Sequence, residues 1–313
     1  DIEMPEMNGL EVLEYIKEKE LEVGAVMLST LTHEGGEMTM KALELGAFDF
    51  IPKPQDGTMS ENTESIKKTI SPILKAFKRR NEIKHLLKGE KCRGDAGREK
   101  PPLSVSSQIV ERMNTISGRL TKKSEIVGIG VSTGGPNALA QMMPLLPPDI
   151  GVPVLIVQHM PPIFTASLAK SLNAKCSLEV REARDGEPVT SNVAFIAPGG
   201  RQMKINSAGD GKKRIIRITD DPPQNNCRPS VDYLFESIAH YYVGRATGVI
   251  MTGMGSDGFR GLELMKKNGS TIIAQNGETC VVYGMPKKPI DAGIVDIIAP
   301  LEMIAGEICR TVK

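Results

Sequence analysis

The chain has 313 residues, enough for about two domains of ordinary size. Its 39 basic and 38 acidic residues leave a formal charge of +1, so the composition gives no electrostatic footprint for nucleic acid. No apolar run reaches the roughly 18 residues that a membrane-spanning helix needs, so we do not expect a membrane-embedded protein. The five cysteines are scattered singly, which is typical of reduced thiols in the cytoplasm rather than of a disulfide framework or a zinc site.

Residues 1–54 alternate between helical and strand patterns. GLEVLEYIKEKEL places Leu10, Leu13 and Ile16 on one helical face, and the apolar run GAVMLS predicts a buried strand. EMTMKALELGA predicts a second helix, and FDFI predicts a second strand. The alternation indicates a parallel sheet with helices on its faces. Because the sequence begins inside a motif and without Met, we expect an N-terminally truncated domain.

Residues 55–123 form a predicted connecting region. Ser71 and Pro72 favour a helix start, so we predict a helix over ILKAFKRRNEIKHLLK. The polar segment GEKCRGDAGREKPP that follows is typical of a flexible tether. Its basic residues allow two interpretations, an RNA-binding arm or a solvated helix face and tether. The lack of accompanying aromatic residues favours the second.

Residues 124–313 repeat the strand and helix alternation on a larger scale. Helical segments separate most of the apolar runs, which are IVGIGV, VPVLIVQ, VAFIA, ATGVIMT, STIIAQ and IVDIIA. The pattern predicts a doubly wound, mostly parallel α/β domain. The segment MKINSAGDGKKRIIRI has a glycine-containing turn between two strand patterns and predicts a hairpin within this domain.

The stretch GIGVSTGGP, residues 128–136, has three interpretations. It resembles a dinucleotide-binding fingerprint, but Thr133 stands where the third glycine is needed. That fingerprint also requires an acidic residue about 20 positions later, where the chain has VLIVQHM. The stretch also matches the nucleophile pattern G-x-S-x-G around Ser132. The third interpretation makes Ser132 a helix cap.

A serine nucleophile needs an imidazole to take its proton and a carboxylate to orient that imidazole. Ser132, His159 and Asp257 each follow a predicted strand, at the sheet edge where α/β proteins bind ligands. Each residue also has a structural interpretation: Ser132 and Asp257 as helix caps, and His159 as a strand-end side chain. His240 lies in YLFESIAHYY and is interpreted as a packing residue. The sequence alone does not show whether the three strand ends are adjacent.

The N-terminal motif DIEMPEMNGLE, with KP downstream, resembles the response-regulator receiver domain. The resemblance implies that Asp1 accepts a phosphoryl group, that Lys53 is the accompanying cation, and that Asp1 and the Glu3 carbonyl bind Mg²⁺. It makes Ser29 the switch hydroxyl, with Thr30 as the alternative. The acidic pair that completes the metal site in this family lies upstream of the motif. We therefore expect an incomplete site that small phosphodonors do not activate.

The second half resembles the catalytic domain of the chemotaxis protein-glutamate methylesterases, the CheB family. The matching stretches are GVSTGGP, VQHMPPIFTASLAKSL, APGG, RPSVDYLF, TGMGSDG and YGMPKKPIDAG. By this resemblance, the catalytic triad is Ser132, His159 and Asp257. The order of the three along the chain differs from that of the α/β-hydrolases, which run Ser, Asp or Glu, His.

The same resemblance extends to residues around the triad. It implies an oxyanion hole formed by the Met254 amide with Thr133 close to it, and it places Arg228 in the lining of the cleft. The chain departs from the family pattern at Gln202 and Cys227, where the family commonly has histidine. These departures affect the expected substrate contacts and leave the triad intact.

The resemblance implies hydrolysis of γ-glutamyl methyl esters on methyl-accepting chemoreceptors, with release of methanol, and deamidation of receptor glutamines. Hydrolysis needs no cofactor, whereas receiver phosphorylation by a chemotaxis histidine kinase needs Mg²⁺. Two rival functions are a nucleotide-dependent oxidoreductase and a response regulator with a DNA-binding output. The missing fingerprint residues disfavour the first, and a large, nearly neutral α/β output domain disfavours the second. We also expect the receiver part to be attached loosely to the catalytic part.

Overall fold

The computed structural model describes residues 1–312 except 3, 31, 55–56, 88–122, 210 and 212. The predicted tether GEKCRGDAGREKPP lies outside the described residues. No helix in the described part of the chain is long and apolar enough to cross a membrane.

The N-terminal part contains two helices and two strands in alternation, as predicted. They are α1 (Gly9–Glu18), β1 (Val26–Ser29), α2 (His33–Glu44) and β2 (Asp49–Pro52). Asn8 caps α1 by accepting from the amides of Leu10 and Glu11, and the Glu11 side chain accepts from the Asn8 amide in return. The two strands pair in parallel, so Ser29 and Lys53 come to lie at the same end of this small sheet.

The connecting helix α3 (Met59–Leu87) begins thirteen residues before Pro72, the predicted first helical residue. The predicted start was wrong, because Pro72 lies inside the helix. Proline removes one backbone hydrogen bond there, and tertiary packing offsets part of that cost. Ile73, the next residue, is buried against Phe48 and Ile51 of the N-terminal part.

The larger part of the chain is built on a seven-stranded sheet in which every neighbouring pair is parallel. Its strands are β3 (Ile126–Val131), β4 (Val154–Gln158), β5 (Glu179–Glu182), β6 (Val193–Ile196), β9 (Ala246–Ile250), β10 (Thr271–Gln275) and β11 (Ile297–Ala299). They lie in the order β11-β10-β9-β3-β4-β6-β5. The predicted hairpin is confirmed as the antiparallel pair β7 (Gln202–Ser207) and β8 (Arg214–Thr219). The edge strand β5 was missed, because its sequence EVRE lacks an apolar run.

Helices cover both faces of this sheet, which confirms the doubly wound class. The helices are α4 (Gly135–Met142), α5 (Phe164–Asn173), α6 (Val231–Tyr241), α7 (Phe259–Lys267), α8 (Lys287–Asp291) and α9 (Leu301–Val312). Side chains of α4, α5 and α9 pack in one core, and those of α6 and α7 pack in another. The first strand of this sheet in sequence, β3, lies in its middle. The next strands are added on the β4 side and the later ones on the β9 side. This reversal of direction creates a crevice at the carboxyl ends of the central strands.

The N-terminal part packs against the larger part, so the prediction of a loose attachment was wrong. Helix α2 lies along α5, where Glu37 and Lys170 form an ion pair of 2.6 Å. The rings of Phe50 and Phe164 contact across the boundary with centroids 4.7 Å apart. Met40 belongs to the same continuous core as the helices of the larger part. The short sheet covers its apolar residues by docking, because leaving them exposed would cost free energy.

Candidate active site

Ser132 lies immediately beyond the carboxyl end of β3, on the tight turn into α4. Its amide donates to the Thr252 carbonyl at 3.0 Å, which ties the turn to the chain that follows β9. A side chain at position 253 would collide with the serine, because a Cβ on Gly253 would lie 2.7 Å from the Ser132 Cβ. The N-cap position of α4 is Gly134, with φ of 75° and no side-chain cap. The cap interpretation of Ser132 is therefore wrong.

His159 occupies the equivalent position on the neighbouring strand β4. Val131 pairs with Gln158 across the two strands, so Ser132 and His159 are the next residues on adjacent strand ends. The Gln158 side chain lies between them and donates to the Ser132 carbonyl at 3.1 Å and the His159 carbonyl at 3.0 Å. The parallel pairing thus brings the serine and the histidine to one edge of the sheet.

Asp257 reaches the same edge from the loop after β9, and its Oδ2 lies 2.8 Å from the Nε2 atom of His159. The carboxylate is 4% exposed and accepts further hydrogen bonds. The donors include the Val231 amide at 2.7 Å, the Ser230 hydroxyl at 2.8 Å and the Asn225 amide nitrogen at 2.7 Å. The first two lie at the N-terminus of α6, whose dipole favours a negative charge. These donors hold the carboxylate ionised and fixed in orientation.

The alternative role of Asp257 as a helix cap is also wrong. The N-cap position of α7 is Gly258, and no side chain caps that helix. His240, which was interpreted as a packing residue, lies on the exposed side of α6 and contacts the ring of Tyr241 edge-on. It has no part in the cluster at the strand ends.

The pKa values of the histidine and the carboxylate move apart. Burial raises the pKa of Asp257, but the hydrogen bonds with His159 and the Val231 amide outweigh it and lower the value to about 2. Burial lowers the pKa of His159, but its contacts with Asp257 and Cys227 outweigh that effect and raise the value to about 9. The pair therefore stabilises an imidazolium, the form that appears when the histidine accepts a proton. In the neutral form, Nε2–H donates to Asp257 and leaves Nδ1 as the acceptor.

The Nδ1 atom of His159 faces Cys227, whose Sγ lies 3.8 Å away. Within the described residues, no hydrogen bond joins the Ser132 hydroxyl to His159. Catalytic hydrogen bonds are often longer before a substrate is bound. Arg228 follows Cys227 on the same loop and is exposed.

Gln202 is fully buried and supports the loop that carries Cys227. Its Nε2 donates to the Cys227 carbonyl at 3.3 Å, and its Oε1 accepts from the Ser230 amide at 2.8 Å. Its contacts are with the backbone rather than with the open side of the cluster. Gln202, which was expected to affect substrate contacts, is thus a supporting residue. Asn225 is a second supporting residue, which the sequence did not indicate. A local signal for them was lacking, since both act on residues distant in sequence.

The two predicted oxyanion donors lie on the turns that flank Ser132. Among the described residues, neither the Thr133 amide nor the Met254 amide has a hydrogen-bond acceptor. The Met254 turn packs closely, because a Cβ on Gly284 would lie 3.2 Å from the Met254 Cα. Two unpaired amides beside a serine hydroxyl can bind an anionic oxygen.

The N-terminal part contacts this cluster directly. The Asp49 side chain, at the start of β2, lies close to Thr133 and accepts from the Phe50 amide at 2.8 Å, and burial raises the pKa of Asp49 to about 6. The Asn137 side chain donates to the Ala47 carbonyl at 3.4 Å. Val281, on the loop beyond β10, packs against the apolar side chains around β2. The N-terminal part therefore covers one side of the crevice that holds the serine.

The predicted receiver residues are only partly assembled. The Lys53 Nζ lies 2.6 Å from the Asp1 carboxylate, and both side chains are more than one-third exposed. The Ser29 hydroxyl is buried and accepts from Thr39 at 2.6 Å, so it points toward α2 rather than toward Asp1. Thr30, the alternative, is exposed.

The predicted Mg²⁺ site is incomplete among the described residues. Glu3, whose carbonyl was predicted as a ligand, lies outside them. Asp1 supplies one carboxylate, and the Lys53 ammonium is paired with it. The cluster of metal-ligand type within the described residues is His159, Cys227 and Asp257, at the other site. Mg²⁺ prefers several oxygen ligands, so the described residues do not by themselves fit that ion.

Comparison with known families agrees with this arrangement. Residues 127–308 match the model of the CheB methylesterase family, and residues 1–62 match the model of the response regulator receiver domain. The chain belongs to the CheB methylesterase family. A receiver domain precedes the CheB methylesterase domain, in the order that the motifs predict.

Similar proteins cover the whole chain. A protein-glutamate methylesterase/protein-glutamine glutaminase of Desulfotalea psychrophila is 54% identical over 100% of this chain and 84% of its own length. A protein of the same name from Trichodesmium erythraeum is 39% identical, again over 100% of this chain and 84% of its own length. The crystal structure of the Thermotoga maritima CheB methylesterase catalytic domain is 40% identical, with a TM-score of 0.58. It covers 60% of this chain and 98% of the solved domain.

Proposed function

We propose that this chain is a protein-glutamate methylesterase that hydrolyses γ-glutamyl methyl esters on methyl-accepting chemoreceptors in the cytoplasm. The hydrogen bond between His159 and Asp257, at the strand end beside Ser132, is the observation that carries the proposal. The same groups act on glutamine side chains, where ammonia leaves in place of methanol. The names of the relatives combine both activities.

In the first step, the Ser132 hydroxyl attacks the ester carbonyl and its proton moves to Nδ1 of His159. Asp257 keeps the Nε2–H in place and stabilises the imidazolium. The amides of Thr133 and Met254 donate to the oxygen that becomes negative. The imidazolium then gives its proton to the leaving methoxide, so that methanol departs and an acyl-serine remains.

In the second step, water attacks the acyl-serine while His159 takes the water proton. The histidine returns that proton to the serine oxygen, which releases the glutamate side chain and restores Ser132. Every proton transfer uses protein groups, and hydrolysis proceeds without a cofactor. Arg228, which is exposed and follows Cys227 in the chain, is assigned a contact with the receptor segment that carries the ester.

Regulation belongs to the N-terminal part. Asp1 is the acceptor of a phosphoryl group from a chemotaxis histidine kinase, and Lys53 is the cation beside it. Mg²⁺ would neutralise charge during that transfer, but the described residues form an incomplete site. Docking of the N-terminal part against Thr133 restrains access to Ser132 until that contact is released.

The test is methanol release from methylated receptor by Ser132→Ala. A methyl group cannot attack the ester, so activity should fall by at least about 10³-fold. Ser177→Ala is the control, because Ser177 is exposed and lies outside the cluster. Activity of Ser132→Ala within about tenfold of the parent would contradict the assignment of the nucleophile.

A further inference from the structure

Cys227 is the one reactive side chain of the cluster that the esterase mechanism leaves without a role. Its Sγ lies 3.8 Å from Nδ1 of His159, the nitrogen that remains free when Nε2 binds Asp257. The ligand-type atoms of these three side chains lie within 4.8 Å of one another. Thiolate and imidazole are the ligands that zinc prefers.

The spacing of the two atoms suits a shared metal ion. In a tetrahedral zinc site, bonds of about 2.0 Å to nitrogen and about 2.3 Å to sulfur place the two ligand atoms about 3.5 Å apart. The observed separation of 3.8 Å needs only a small movement to reach that value. Cys227 is half-buried, and 15% of the His159 side chain is exposed, so the pair is reachable from solvent.

A histidine that binds zinc through one ring nitrogen usually donates from the other to a carboxylate. Asp257 already provides that carboxylate for His159. Its carboxylate accepts from Nε2 at 2.8 Å, while the metal would sit at Nδ1. A carboxylate behind a ligating histidine fixes the ring and strengthens metal binding. Three of the components of such a site are therefore held together before any ion arrives.

We propose that Sγ of Cys227 and Nδ1 of His159 form a binding site for Zn²⁺, with water completing the coordination, and that the bound ion inhibits the esterase. Binding displaces the thiol proton and forms Zn–S and Zn–N bonds without any change of oxidation state. The ion occupies the nitrogen that must take the Ser132 proton. The inhibition rests on the proposed function, whereas the binding does not.

Binding is measured first, on the full chain, by competition with a chromophoric zinc chelator. All variants carry Cys92→Ser, because Cys92 lies outside the described residues. Cys227→Ser should lose one equivalent of zinc and Cys176→Ser should keep it. Cys176 is the matched control, since it is also half-buried, and burial raises the pKa of its thiol to about 11. With Co²⁺ as the probe, the parent should show thiolate-to-cobalt charge-transfer absorption that Cys227→Ser lacks.

Inhibition is measured next, on methanol release, with each variant compared with its own metal-free rate. Cys227→Ser should raise the Zn²⁺ concentration for half-inhibition by at least about tenfold, as expected when a ligand is lost. Equal zinc binding in Cys227→Ser and the parent would overturn the site. Zinc that binds through Cys227 without slowing a Ser132-dependent esterase would overturn the assignment of Nδ1. An absence of esterase activity in every variant would instead contradict the proposed function and leave the binding result standing.

Discussion

The two halves of the molecule hold their central carboxylates in opposite ways. Asp257 in the larger half is 4% exposed and is held by side chains and amides from three segments of chain. Asp1 in the N-terminal half has 43% of its side chain exposed and one ion pair, to Lys53. In the proposed roles, Asp257 only orients a histidine and gains from complete fixation, whereas Asp1 accepts a phosphoryl group and has to remain reachable.

The two halves also meet at the candidate active site. Asp49 comes from the smaller half, yet it lies close to Thr133 beside the serine of the larger half. One side of the crevice that holds Ser132 is therefore formed by the N-terminal part, which has a sheet of two strands.

The largest effect should come from Asp257→Asn. The amide cannot stabilise the imidazolium, and its NH₂ group favours the wrong histidine tautomer, so we expect a loss of about 10⁴-fold in kcat. Combining it with His159→Gln should add little, since the groups act as a unit. Methanol release measures both variants. Multiplicative losses in the double variant would show that the two residues act independently.

Removal of residues 1–122 should have the next largest effect. It takes away the Asp49 contact and exposes the crevice, so we expect at least about a tenfold higher rate, or about 1.4 kcal/mol. The same deletion with Ser132→Ala should stay inactive, which excludes a new activity of the fragment. A rate within about twofold of the full chain would show that the docked arrangement leaves the crevice accessible.

Docking of the N-terminal part should also depend on pH through Asp49. Its pKa is raised to about 6, so the contribution of the protonated group to docking is complete below the unfolded value of 3.8 and is lost as pH rises through 6. The rate of the full chain relative to the fragment without residues 1–122 should therefore rise about fivefold between pH 5 and pH 7.5. The ratio cancels the pH dependence of the ester hydrolysis itself. Asp49→Asn should make it flat, and an unchanged slope in that variant would assign the effect to another group.

The smallest effect should come from the surface ion pairs between the halves. Lys175 lies 2.5 Å from Glu44, and both side chains are about one-third exposed. Lys175→Met should raise the rate of the full chain by less than about threefold, because an exposed ion pair typically contributes about 0.5 kcal/mol. Lys68→Met is the matched control, since its pair with Glu64 lies within α3. A larger increase for Lys175→Met would mean that charge, rather than apolar packing, dominates the docking.

The sequence by itself determined the family and the central strands of the larger half. Buried parallel strands are continuous apolar runs, so IVGIGV, VPVLIVQ and ATGVIMT identified the central strands without tertiary information. The first two runs end directly before Ser132 and His159, and the third ends a few positions before Asp257. Motif resemblance then identified the family and the order of the domains. Local patterns failed where packing overrode them, as at Pro72 inside α3 and at the edge strand β5.

Only the tertiary structure decided which side chains meet. Strand β3 lies between β9 and β4 in the sheet. Asp257, on the loop after β9, nevertheless reaches His159 at the end of β4, although the two residues are 98 positions apart in sequence. The contacts of Asn225 with Asp257, of Cys227 with Nδ1 and of Asp49 with Thr133 likewise join distant segments. Such contacts depend on how whole elements pack, and no local periodicity records them. The docking of the N-terminal half was decided in the same way, because its apolar faces are buried only when the two halves fold together.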